Sequence, residues 1–308
     1  MRPRRRQSSI LNSQSSIPSE PLTRVVRFEA TDGVTLAGLL YEPKRRTKRV
    51  AIFLHGTGGA SVFESSRTNR LAEEFTSAGI AYFPFNNRGA GLMRNLNGKP
   101  RGGMAYERIR ECVFDIDGAI RELWRRGYRD FTLIGHSTGA NKIAVYDHYK
   151  PRNRVKSYVL LAGGDDTGML YDQLGSRRFA ATLARARELR NSDALVPRSQ
   201  PVMSWRAWYD TANPDGDYNV FPFLEVMRNV KLSRRGKFRY VKNMSKPTLI
   251  LYGDRDQYLY GDVARCVEIL ADAIGPKPNI EIAVMENADH GFRGQERELA
   301  EVIIRWLG

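Results

Sequence analysis

The pentapeptide Gly135-His136-Ser137-Thr138-Gly139 sets a serine between the apolar run Phe131-Thr132-Leu133-Ile134 and the helix-compatible stretch Ala140-Asn141-Lys142-Ile143-Ala144-Val145-Tyr146. A serine hydroxyl attacks a carbonyl only when a base takes its proton and a donor array receives the oxyanion. The G-x-S-x-G spacing, read as strand, sharp turn and helix, predicts a strained turn that lifts Ser137 above a sheet. Backbones crowd together at such a turn, so positions 135 and 139 tolerate little beyond hydrogen. The helix that follows would aim its N-terminal N–H groups and dipole at an anion beside Ser137, and the first such donor is the N–H of Thr138.

The base must come from elsewhere in the chain. A neutral imidazole is suited to proton transfer near pH 7. Of the four histidines, His290 stands just past the last predicted strand, in Ala288-Asp289-His290-Gly291-Phe292. His55 (at a strand end), His136 (inside the serine turn) and His148 (late in a helix) read as packing or surface residues. An imidazole in this role needs a carboxylate on its second nitrogen. Asp254 and Asp256, after the strand Leu249-Ile250-Leu251-Tyr252, compete for that place, whereas Asp289 is too close in sequence, because adjacent side chains in extended backbone point apart.

Together with Phe53-Leu54-His55-Gly56-Thr57-Gly58-Gly59, a strand running into an H-G-x-G loop, the chain order Ser, Asp, His resembles the serine hydrolases of the α/β-hydrolase fold, of the esterase and lipase kind, over residues 24–308. The resemblance implies that Ser137 is the nucleophile, His290 the base and Asp256 its carboxylate, from the family's G-x-x-D pattern. Asp254 is then the residue that ties down the turn. Thr57 joins Thr138 in the oxyanion hole. The implied reaction is hydrolysis of carboxylic esters through an acyl-enzyme, without cofactor or metal. The stretch Phe85-Asn86-Asn87-Arg88-Gly89-Ala90-Gly91 and the extended turn sequence GHSTGANKIAVY also resemble siderophore hydrolases and feruloyl-esterase-like enzymes, which implies an alternative ester class. The same fold serves thioesterases, amidases and peptidases, and non-catalytic scaffolds, although a scaffold would have no need to keep serine, histidine and carboxylate together.

The elements that must position these residues alternate along the chain. Val25, Val26 and Phe28, then Leu36, Leu39 and Leu40, flank Thr31-Asp32-Gly33 and predict an antiparallel hairpin. Arg49–Leu54, Ile80–Phe85, Val155–Leu161, Pro247–Tyr252 and Ile280–Met285 read as strands. Between them, Leu71, Ala72, Phe75 and Ala78, and Ile109, Cys112, Val113, Ile116, Ala119, Ile120 and Leu123, recur at helical spacing. The glycine-rich residues 88–104 show no apolar period and read as a loop bordering the site. This pattern predicts an α/β chain with a mostly parallel, helix-flanked sheet, whose core spans 23–164 and 246–308. Residues 165–245, helical around 179–189 and 223–230, break the alternation and read as a cap inserted over the site.

Composition narrows the partners. At 308 residues the chain can bury one large core, and no apolar run approaches the roughly 20 residues of a membrane span. Cys112 and Cys266 read as buried packing thiols, as in a reducing, cytoplasmic setting. Residues 1–22, opening Arg2-Pro3-Arg4-Arg5-Arg6, read as a disordered basic tail without a secretory h-region, a composition that also fits an organelle transit peptide. No metal-ligand spacing or phosphate loop is visible. The net charge of +15 is not organised into a nucleic-acid-binding module, so the expected partner is a small-molecule ester. Fourteen Lys and Arg against seven Asp and Glu between residues 171 and 242 would favour anionic esters if they faced the pocket, or would form a solvated outer face.

Overall fold

The hairpin signal at Thr31-Asp32-Gly33 is realised as two antiparallel strands, β1 (Leu22–Glu29) and β2 (Thr35–Glu42), which begin an eight-stranded sheet. The computed structural model describes residues 21–57, 61–96 and 99–308, so the expected basic tail lies outside the described residues apart from Pro21 and Leu22, as do Gly58 and Gly59. β3 (Arg49–Leu54) leads through α1 (Ser66–Ser77) to β4 (Ala81–Asn86), its parallel neighbour. Every described residue of β3 after Arg49 is buried, as expected of a strand covered on both faces.

Residues 88–104 depart from the expected loop. β5 (Arg94–Leu96) and β6 (Lys99–Gly102) pair as a small antiparallel hairpin outside the main sheet. Strands of three and four residues carry too little alternation for a period to show in sequence. The approach is close: a Cβ at Gly102 would stand 2.4 Å from the Leu96 side chain. Ahead of this hairpin, the Arg88 guanidinium is buried against Asp115 at 2.7 Å and Asp32 at 2.9 Å, joining the β1–β2 turn to the helix that follows. The Phe85–Gly91 stretch therefore contains a structural ion-pair cluster.

α2 (Cys112–Arg125) buries the apolar stripe read from sequence, with Ile109 in a 3-10 turn just before it. Each fully buried aliphatic side chain of that stripe contributes about 1.5–3 kcal/mol. β7 (Asp130–His136), α3 (Thr138–Tyr149) and β8 (Val155–Leu161) follow. The next segment holds α4 (Asp166–Glu188), α5 (Trp205–Ala212) and α6 (Phe223–Met227). α4 starts well before the expected helix at 179, because Asp165 caps it by accepting from the Gly168 N–H at 2.8 Å, and it kinks at Gly175, where φ is 72°. α4 and α5 share a separate apolar cluster that includes Leu170, Phe179, Met203 and Trp208.

The chain returns through β9 (Thr248–Arg255), α7 (Val263–Ile274), β10 (Ile280–Asp289) and α8 (Glu296–Leu307). Strand order is β1-β2-β4-β3-β7-β8-β9-β10, antiparallel at β1–β2 and β2–β4 and parallel elsewhere. Parallel pairing has one consequence for function: the carboxyl ends of β3, β7, β8, β9 and β10 all open on the same edge.

Candidate active site

Ser137 joins β7 to α3 with φ 56° and ψ −129°, a conformation that costs a non-glycine residue on the order of 1–3 kcal/mol. The surrounding glycines make it sterically possible. A Cβ at Gly135 would lie 2.3 Å from the Gly139 carbonyl oxygen, one at Gly139 2.2 Å from the Leu54 carbonyl oxygen, and one at Gly56 2.8 Å from the Ser137 Cβ. The Ser137 N–H donates to the Leu161 carbonyl at 2.9 Å, so β8 also fixes the turn.

His290 follows β10, and its Nδ1 lies 2.9 and 3.0 Å from the two carboxylate oxygens of Asp256, which is 2% exposed. Nδ1 donates to that carboxylate, which leaves Nε2 as the basic nitrogen. The Tyr258 N–H holds Asp256 Oδ1 at 2.9 Å, and the Tyr258 ring stands edge-on to the imidazole at 4.6 Å. Asp254 performs different work, accepting from the Ala288 N–H at 3.1 Å across the ends of β9 and β10. Asp289 turns back on its own loop to accept from the Gly291 and Arg293 N–H groups. The β9–β10 register shifts between Met285 and Asp289, immediately before His290.

His136, read from sequence as a packing or surface residue, belongs to the site. Its Nε2 donates to the His290 carbonyl at 2.7 Å, and the two rings are 5.0 Å apart. Its place next to Ser137 was visible in the sequence, but its contact with a loop 154 residues away was not. His55 is buried with Nδ1 on the Gly56 carbonyl at 2.8 Å, and burial first, then Lys142, pushes its pKa down to about 3, so it is neutral.

Thr57 and Thr138 are brought together. The Thr57 hydroxyl donates to that of Thr138 at 3.0 Å, and the Thr138 hydroxyl donates to Asp166 at 3.2 Å. The Thr138 N–H lies at the start of α3, where no preceding helical carbonyl can accept it. Asn141, one turn on, binds Asp166 at 2.9 Å and the Gly164 carbonyl at 2.8 Å, which locks the loop after β8 to α3. Beneath this network the Lys142 ammonium, fully buried, stands 2.6 Å from Glu107.

Ser137, His290, Thr57, Thr138 and Asp166 line one cavity of about 640 Å³, walled by Phe53, Met104, Leu170, Met203 and Tyr218 among others. None of the fourteen cations between residues 171 and 242 lines it; among the described residues its one arginine is Arg293, from the loop after His290. Arg177, Arg178, Arg185, Arg187 and Arg190 lie exposed along α4 and just beyond it. Of the two faces the sequence leaves open for this charge, the basic pocket mouth is not formed and the α4 arginines take the solvated outer one: α4 turns its apolar side to α5, leaving its arginines to water. Among the described residues no group of three or more His, Cys, Asp and Glu side chains is placed to hold a metal ion, and no helix is long and apolar enough to cross a membrane.

Residues 51–303 match the alpha/beta hydrolase family. In fold the chain is similar to Est1E from Butyrivibrio proteoclasticus, solved with ferulic acid bound (14% identity, TM-score 0.60, covering 92% of this chain and 98% of that one). It is likewise similar to the Pyrococcus furiosus esterase Pf2001 (18% identity, TM-score 0.56, 93% and 90%). A third such structure is an alpha-beta serine hydrolase homologue from Coxiella burnetii (17% identity, TM-score 0.56, 92% and 97%). No curated protein matches the sequence.

Proposed function

The chain belongs to the alpha/beta hydrolase family, and from that membership and the geometry of its site we propose that it is a serine hydrolase of carboxylic esters. The observation that carries the reading is the strained Ser137 in one cavity with a His290 whose Nδ1 is held by buried Asp256. Ser137 Oγ attacks the ester carbonyl while His290 Nε2 takes its proton, and Asp256 stabilises the imidazolium. The Thr57 and Thr138 N–H groups receive the oxyanion. Collapse expels the alcohol with the proton from His290, leaving an acyl-serine. Water, deprotonated by the same imidazole, then releases the carboxylic acid and restores Ser137. The segment between β8 and β9 acts as the cap, supplying Leu170, Met203 and Tyr218 to the wall. The buried thiols Cys112 and Cys266 accord with a reducing compartment.

A fluorophosphonate probe followed by peptide mass spectrometry tests the assignment. The adduct is expected on Ser137. Ser137→Ala should lose the adduct and fall below about one hundredth of wild-type turnover on p-nitrophenyl esters. An adduct elsewhere, or a variant retaining most of its turnover, would refute it.

A further inference from the structure

Among the described residues Asp166 contributes the only carboxyl on the wall of the cavity that holds Ser137. Its protein contacts are neutral donors: the Thr138 hydroxyl at 3.2 and 3.3 Å and the Asn141 amide at 2.9 Å. A carboxylate offers about four acceptor positions, so capacity remains on the cavity side. The residue is half-buried, and the cavity it opens on mixes apolar side chains such as Phe53, Met104 and Leu170 with neutral polar ones such as Thr68, Gln173 and Gln257. No cation among the described residues forms an ion pair with it. Lys142, on the same helix as its two donors, is committed to Glu107. Arg293, also on the cavity wall, is largely exposed and turned toward Asp289 at 3.7 Å. His55 is neutral, and His290 is held by Asp256.

We propose that Asp166 is the specificity carboxylate of the cavity and receives a cationic ammonium group carried by the ester; this rests on the serine-hydrolase reading of Ser137. A half-buried carboxylate without an ion-pair partner is costly, and a substrate cation supplies what the protein omits. The titration of Asp166 agrees with this. Burial raises its pKa most, the Thr138 hydroxyl opposes, Asp165 adds to the rise, Lys142 opposes and Glu107 adds, leaving it near 7. An arriving ammonium favours the ionised form, so preference for the cation grows as pH rises through neutrality.

The test compares butanoylcholine with its uncharged carbon isostere, neohexyl butanoate, on the full chain, by product chromatography. The choline cation is permanent, so a change in the ratio of the two kcat/KM values with pH reports the protein. The expected ratio is about tenfold in favour of the cation near pH 8, shrinking several-fold near pH 6 as Asp166 takes a proton. Asp166→Asn should bring the ratio close to one at both pH values, whatever it does to the rate itself. A wild-type ratio at or below one near pH 8, a ratio unchanged with pH, or an Asn variant that keeps the wild-type ratio would overturn the proposal. Should that variant fail to fold, Asp166→Ser measured the same way takes its place, because His136 and His290 share the cavity wall and an imidazole that gains a proton as pH falls also repels a cation. Fluorophosphonate labelling at Ser137 separates the two ideas: a labelled enzyme without the preference loses only the role of Asp166, whereas an unlabelled chain that turns over neither ester loses both.

Discussion

Replacing Asp256 by Asn probes the catalytic assignment most sharply, because the structure fixes how the amide must sit. Asp256 Oδ1 accepts from the Tyr258 N–H at 2.9 Å while both oxygens face His290 Nδ1 at 2.9 and 3.0 Å. An asparagine that keeps the Tyr258 bond places its NH2 where Oδ2 stood, 2.9 Å from Nδ1. That amide donates, so Nδ1 must become the acceptor, and the proton moves to Nε2, where it blocks the base. Turnover is expected to fall by about 10⁴, equivalent to about 5.5 kcal/mol of transition-state stabilisation, with little loss of fold because the side chain keeps its shape. Asp254→Asn is the internal control. Its carbonyl can still accept from the Ala288 N–H, so turnover should stay within about tenfold and any effect should appear mainly as stability. Initial rates on p-nitrophenyl butanoate at neutral pH, with circular dichroism for fold, decide the matter. An Asp256→Asn enzyme within tenfold of wild type, or an Asp254→Asn enzyme more damaged than Asp256→Asn, refutes the reasoning.

Lys142→Met strands the Glu107 carboxylate, which is 4% exposed, and should cost about 3–5 kcal/mol in urea unfolding; Lys142→Met with Glu107→Leu should recover part of that. Equal losses in the single and double variants would show that the stranded carboxylate is not the source of the cost. His55, with its pKa pushed down from 6.5 to about 3 by burial, must gain a proton on unfolding in acid, so its contribution is complete above about pH 6.5 and is lost as pH falls toward 3. Asp165, Asp166 and Asp210, raised to between about 6 and about 7, act in the opposite sense over part of that range, so the readout is the difference between wild type and His55→Gln. Between pH 7 and about pH 4.5 the variant should lose on the order of 2 kcal/mol less stability than wild type; parallel curves would place the acid sensitivity elsewhere.

The serine turn was legible because its constraint is local and steric. Only glycine fits at 135 and 139, and a requirement for glycine at fixed spacing is written directly into the sequence. The parallel strands were legible as apolar runs, since burial on both faces admits little else. Sequence order with the family pattern singled out His290 and Asp256, and the structure brings the two into contact. Boundaries were less legible: α4 begins thirteen residues before its apolar period would suggest, because Asp165 and Gly168 form the cap while Gly175 breaks the pattern.

What tertiary structure alone decided are the contacts between residues far apart in the chain. Sequence left the charge of residues 171–242 with two possible faces, and the packing of α4 against α5 turns the arginines of α4 outward. Read as sequence, Lys142 is an ordinary helical lysine; folded, it is fully buried on Glu107, thirty-five residues earlier. His136 and Asp166 have no motif of their own, yet one reaches the His290 carbonyl and the other the Thr138 hydroxyl. The reason is the parallel sheet. It delivers the ends of β7, β8 and β10 to one edge, so polar neighbours there are set by strand order and register rather than by any spacing along the chain.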